Sequence, residues 1–156
     1  GIKWPNDIVV DGKKVCGILT EMSMEQGYIH HIVIGVGINV RRQEFSEEIR
    51  ERAAAIDEQS GFCISRSQLI ADIMEAFEED YEIFLQTHDL KGLRDSYAKL
   101  LLNQDREVCV LDPKGEYRGI ARGINDQGEL IVERQDGTVE EVYAGEVSVR
   151  GIYGYV

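Results

Sequence analysis

A chain of 156 residues with 43% apolar and 29% charged side chains has the balance of one soluble domain, or one and a fraction. Its net charge of −12 repels phosphate backbones, which argues against nucleic acid as a partner of this segment. No apolar run is long enough to cross a bilayer, so no membrane association is expected, and the first residues read as strand rather than signal peptide.

The chain opens on Lys3-Trp4-Pro5-Asn6-Asp7. Pro5 fixes its own φ and pushes Trp4 toward extended backbone, while Asn6 and Asp7 are turn formers. Taken alone, this is a turn with a tryptophan wedged into a core. Residues 8–10 are a short apolar strand, Asp11-Gly12 is a hairpin turn, and residues 14–24 form the returning strand. The hairpin brings Lys14 back toward Asn6 and Asp7, beside Gly17. An ammonium, an amide and a carboxylate gathered there suit a phosphate. The same letters also fit a solvated hairpin tip, and the residues alone leave both readings open.

After Gln26-Gly27 a third strand spans 28–38. Its segment IVIGVGI is apolar at almost every position, which predicts a central strand covered on both faces. Gly35 and Gly37 share one face and open the backbone to close approach. Residues 46–57 read as a short charged helix, with Glu47, Glu48, Glu51 and Glu58 on a solvated face. Ser65-x-x-Gln68 is a capping box opening a long helix to about residue 86. Apolar residues recur along it at three and four, predicting one core-facing stripe. A third helix is expected over about 90–102. From residue 106 the helical period gives way to five short strands, at 107–111, 117–124, 130–133, 139–143 and 147–150, which predict a small barrel or sandwich.

Cys16, Cys63 and Cys109 are odd in number and far apart, so they read as reduced thiols of a cytoplasmic protein, each a small core residue. Adjacent His30 and His31 point to opposite strand faces and do not share a metal easily. Gly35-x-Gly37 lacks the third glycine and the following helix of a dinucleotide motif.

Three elements in order, Lys3–Asp7 (KWPND), Lys14-Val15-Cys16-Gly17-Ile18-Leu19 and Gly35-Val36-Gly37-Ile38-Asn39, resemble the catalytic domain of bacterial biotin–protein ligases. The resemblance implies an α+β fold: a mixed or antiparallel sheet with packed helices, the C-terminal part of a class II synthetase-like catalytic domain, over residues 1–104. A small SH3-like β-barrel would follow over 105–156. It favours biotin over lipoate, although a lipoyl-type ligase and a non-catalytic docking module are the competing readings. The family's Gly/Arg-rich loop is not in this sequence, so the chain is expected to be the C-terminal portion of a ligase, inactive or nearly so alone.

The family reaction joins biotin to ATP as biotinyl-5'-AMP, with magnesium (Mg2+), and then to a lysine of a biotin carboxyl carrier protein. By resemblance, Lys14 is the catalytic and biotin-binding cation and Gly17 a biotin contact. Asn6, Asn39 and Arg150 bind nucleotide, with Glu146 holding Arg150. Asp7 orients the lysine or meets a metal. Family members often pair as homodimers through β-edges, and many bacterial ones carry a DNA-binding domain and repress transcription.

Overall fold

The computed structural model describes residues 1–144 and the backbone of Ser148–Gly151. The chain divides into two compact units, Asn6–Cys63 and Gly1–Pro5 with Ile64–Val156. In chain order, β1 (Ile2–Lys3) opens the second of these; β2 (Asp7–Val10), β3 (Lys13–Glu25), β4 (Tyr28–Ile38) and α1 (Ile56–Ser60) lie in the first.

Within the unit 6–63, β2, β3 and β4 are antiparallel neighbours. Asp11 and Gly12 both take positive φ, 48° and 76°, the left-handed pair that a two-residue hairpin needs. Gln26 and Gly27 repeat the device at 48° and 83°. The β2–β3 ladder carries one irregularity. Ile8 pairs with Cys16 but Val9 pairs with Lys14, so Val15 is an extra residue, a β-bulge. Val9, Val15, Cys16, Val40, Ala54 and Ala55 form the buried apolar centre of this unit.

Two expectations fail here. β4 is an edge strand, not a central one, and Val33 and Ile34, on opposite faces, are each about half exposed. Its continuous apolar run reports what the strand prefers to touch, not where it stands in the sheet. The charged helix over 46–57 is also absent. Residues 47–52 form turns, Ala53 bridges to Lys14, and α1 begins only at Ile56. Pairing explains the difference: the Lys14 N–H donates to the Arg52 carbonyl and the Ala54 N–H to the Lys14 carbonyl, at 2.7 and 3.0 Å. The Arg50 and Ala53 N–H groups still close bonds to the Ser46 and Ile49 carbonyls, but the Arg52 carbonyl and the Ala54 N–H are taken by Lys14, so these turns do not run on into a helix.

The other unit holds α2 (Arg66–Thr87), α3 (Arg94–Leu100), β5 (Glu107–Leu111), β6 (Tyr117–Ile124), β7 (Leu130–Glu133), β8 (Val139–Val142) and β9 (Ser148–Gly151). The serine half of the capping box forms, the Gln68 N–H donating to Ser65 Oγ at 3.4 Å, while the Gln68 side-chain amide donates instead to Asp72 Oδ1 at 2.7 Å. The apolar stripe of α2 is not core. No residue of the helix is buried, and Phe77, Tyr81 and Phe84 stack on one another instead. α3 is shorter than the sequence predicts because Leu101 turns to extended backbone and sinks into the core.

The five predicted strands all form, within one or two residues at each end, as one antiparallel sheet in the order β8-β7-β6-β5-β9. Among the described residues it is not a closed barrel. Its apolar face, from Val108, Val110, Ala121, Leu130 and Val132, is instead covered by Trp4 and Leu101, with Leu90 and Tyr97 against it. Trp4 is 2% exposed; its backbone N–H donates to Asn103 Oδ1 and its indole N–H to the Gly128 carbonyl, both at 3.0 Å. The wedged tryptophan of the sequence reading is thus found. All three cysteines are free, but only Cys16 is buried; Cys63 is exposed, against the expectation of a core thiol.

Candidate functional site

The site is built from the hairpin. The Asn6 side-chain amide donates to the Ile18 carbonyl at 2.7 Å, and the Asn6 backbone carbonyl accepts the Ile18 N–H at 2.9 Å. Asn6 is thereby stitched to β3, and Asp7 starts β2 opposite Gly17. Asp7 and Val9, two apart, share a face, and Val9 pairs with Lys14. The bulge at Val15 therefore sets Lys14 on the face of Asp7 and Gly17. In a regular ladder Val9 would oppose Val15, and Val15 would hold that place.

The result is an ion pair. Lys14 Nζ lies 2.5 Å from Asp7 Oδ1, with the lysine side chain 38% exposed and the aspartate 11%. The cation is held from below and open from above. Gly17 pairs with Gly37 on β4, and Leu19 pairs with Gly35, so three glycines share that face with the Leu19 side chain. Beside the ammonium, Cys16 is buried, and burial raises its thiol above the usual range.

Asn39 stands where β4 ends. Its N–H donates to the carbonyl of the bulge residue Val15, its own carbonyl accepts the Ile56 N–H, both at 2.8 Å, and Gln43 donates to its side-chain oxygen at 3.4 Å. Arg150 is on β9 opposite Cys109, and its side chain lies outside the described atoms, as does Glu146 altogether. The structure therefore brings Asn6, Asp7, Lys14 and Gly17 together and ties the Asn39 backbone to the same bulge.

Sequence reasoning missed the segment 52–54 that flanks Lys14. Its signal was Ala53-Ala54-Ala55, small residues amid glutamates and arginines; Ala54 and Ala55 are fully buried because the chain packs closely there. A neighbouring cleft of about 390 Å³ is lined by Lys13, Arg42 and Arg50 with Glu44 and Glu58, a local excess of positive charge in an acidic chain.

The chain is thus an α+β protein with a lysine set among hairpin glycines, ahead in sequence of a five-stranded sheet. Residues 1–39 match the biotin/lipoate A/B protein ligase family and residues 105–150 match the biotin protein ligase C terminal domain. The bifunctional ligase/repressor BirA of Bacillus spizizenii is 37% identical over 95% of this chain and 46% of its own length. The biotin–[acetyl-CoA-carboxylase] ligase of Mycobacterium tuberculosis is 31% identical over 94% of this chain and 52% of its own. The biotin protein ligase from Aquifex aeolicus in complex with biotin and ATP superposes with a TM-score of 0.79 and 28% identity, over 96% of this chain and 61% of that structure. The chain belongs to the biotin protein ligase family and corresponds to its C-terminal portion. It spans about half the length of the BirA relatives it matches.

Proposed function

We propose that this chain supplies the adenylating lysine of a biotin–protein ligase. A biotin carboxylate oxygen attacks the α-phosphorus of ATP, the bond to the β-phosphate oxygen breaks, and pyrophosphate leaves. The carrier protein's lysine amine then attacks the acyl carbon of biotinyl-5'-AMP; AMP leaves and the amide nitrogen loses a proton. Both steps place negative charge on oxygen, so the catalyst mainly positions and neutralises.

Lys14 is the group for that task, and the observation that carries the reading is its pairing with Asp7 on an open glycine floor. An ammonium about 4 Å from a phosphate oxygen is worth about 4 kcal/mol at an effective dielectric near 20. Asp7 orients the amine, Gly17 leaves the space beside it open, and Asn6, Asn39 and Arg150 meet the nucleotide. Magnesium arrives with the ATP phosphates. Asp7, the carboxylate of the cluster, is engaged by Lys14, and among the described residues no three acidic, histidine or cysteine side chains converge to hold a metal.

The match of 105–150 supports reading residues 105–156 as a separate C-terminal domain after a catalytic portion over 1–104. It also favours biotin over lipoate, which the match of 1–39 alone does not. The acceptor is a biotin carboxyl carrier domain, the compartment is the cytoplasm, and the free edge of β4 supports a homodimer by sheet extension. Repression through a separate DNA-binding domain is the corresponding role for the full-length protein, as the BirA relatives' names suggest. In the full-length protein, Lys14→Ala is expected to lower biotin-dependent pyrophosphate release by about 10²–10³-fold. Near-native release would remove Lys14 from this role.

A further inference from the structure

We propose that Gly17 acts as a positioning residue, the seat of the Lys14 ammonium, rather than as a ligand contact; this rests on the reading of Lys14 as the adenylating cation. Residues 14 and 17 of a regular strand face opposite ways. The extra residue Val15 cancels one alternation and lays the lysine back along β3 toward Gly17. A Cβ at position 17 would stand 2.7 Å from Lys14 Nζ, 2.8 Å from Lys14 Cε and 3.5 Å from Asp7 Oδ1. The volume that every other residue type would fill is therefore taken by the head of the lysine.

Gly17 needs no glycine for its own backbone. It lies inside β3, outside the left-handed region, so alanine suits the strand. The closest clash falls on the flexible end of one side chain, not on backbone. The seat therefore has three parts: a bulge that aims the lysine, a carboxylate that attracts it, and an absent side chain that lets it settle. Gly17→Ala keeps the cation and moves it by about 1 Å, from 2.7 Å to ordinary contact distance. Misplacing a reacting group by about 1 Å costs about 10²-fold in rate.

Three measurements test this on Gly17→Ala, Lys14→Ala and the double variant. Biotin-dependent pyrophosphate release by the full-length protein should fall about 10²-fold in Gly17→Ala, in kcat more than in KM, and the double variant should be no slower than Lys14→Ala, since residues acting as a unit are not additive. The Lys14 Nζ resonance, whose chemical shift should report the ion pair with Asp7, should move away from its native position in Gly17→Ala. Any loss of Tm caused by Gly17→Ala should vanish on the Lys14→Ala background, where the obstructing head is gone. A Gly17→Ala protein that is slow but keeps the native Nζ resonance overturns the seat and makes Gly17 a ligand contact. So does a Tm loss that persists in the double variant. If Lys14→Ala itself stays active, the ligase reading falls, and the Nζ resonance and the Tm comparison still decide the seat.

Discussion

The Trp4 backbone N–H and the Asn103 side-chain oxygen, 99 residues apart, meet at 3.0 Å in a place where Asn103 is 1% exposed. A polar side chain buried so fully is there for its partner. Replacing it by alanine leaves the N–H of Trp4 without that acceptor, which costs about 1–3 kcal/mol. Trp4→Ala adds a cavity and is expected to cost about 3–5 kcal/mol. Urea unfolding of the two variants checks both figures. A midpoint unchanged in Asn103→Ala would show that water replaces the asparagine without penalty.

Tyr97 packs against the core of the same unit, and burial pushes its phenol up to about 12 from an ordinary value near 10. Below pH 10 the phenol is neutral whether the protein is folded or not, and its packing is fully felt. Between about 10 and 12 only the unfolded chain releases the proton, so stability falls as pH rises, by at most about 1.4 kcal/mol per unit from this group. Tyr97→Phe should flatten that limb of the stability curve. Denaturation midpoints followed from pH 9 to 12 would reveal it, and identical limbs would refute it.

Arg122 spans two carboxylates, Asp105 at 2.7 Å and Glu133 at 2.8 Å, all well exposed. The Arg122 hydrogen bond, then that from Gln104, lowers the Asp105 carboxyl. A lowered carboxyl stabilises above its unfolded pKa and loses the effect as pH falls through the folded one. Solvent screens such a pair, so Arg122→Ala should barely move the unfolding midpoint at neutral pH while raising the Asp105 titration measured by NMR. A large midpoint loss would mean that the arginine stem packs.

β4 offers an apolar surface on an open edge, with Ile32, Ile34 and Val36 near half exposed. Such an edge invites pairing. The 156-residue chain alone should self-associate with concentration in sedimentation experiments, and a lysine at Ile34 should suppress it. Association that survives Ile34→Lys would direct attention to the exposed face of α2.

Local chemistry was the legible part of the sequence. Asp11-Gly12 fixed the first hairpin, Ser65 and Gln68 the start of α2, and regular turn signals the five strands after residue 106. Each rests on a backbone preference that neighbours enforce without outside help. What escaped depends on partners. The run from Ile32 to Ile38 and the stripe from Ile70 to Phe84 record an appetite for apolar contact and say nothing about what supplies it. The turns at 47–52 stop short of a helix where Arg52 and Ala54 give backbone groups to Lys14. The lysine's return to Asn6 and Asp7 was readable from the hairpin. The bulge that sets it on the face of Asp7 was not, because no residue type encodes it.

Val15 gives the hairpin an arithmetic as well as an alphabet. Slide that pairing by one position and a valine would arrive beside Asp7, leaving the acid without its counter-ion and the proposed phosphate without its escort. A homologue could keep all six letters from Lys14 to Leu19, gain a single residue near the Asp11-Gly12 tip, and lose the chemistry while still spelling the motif. Conserved spacing between Asp7 and Lys14 should therefore mark working members of the family more faithfully than the letters do.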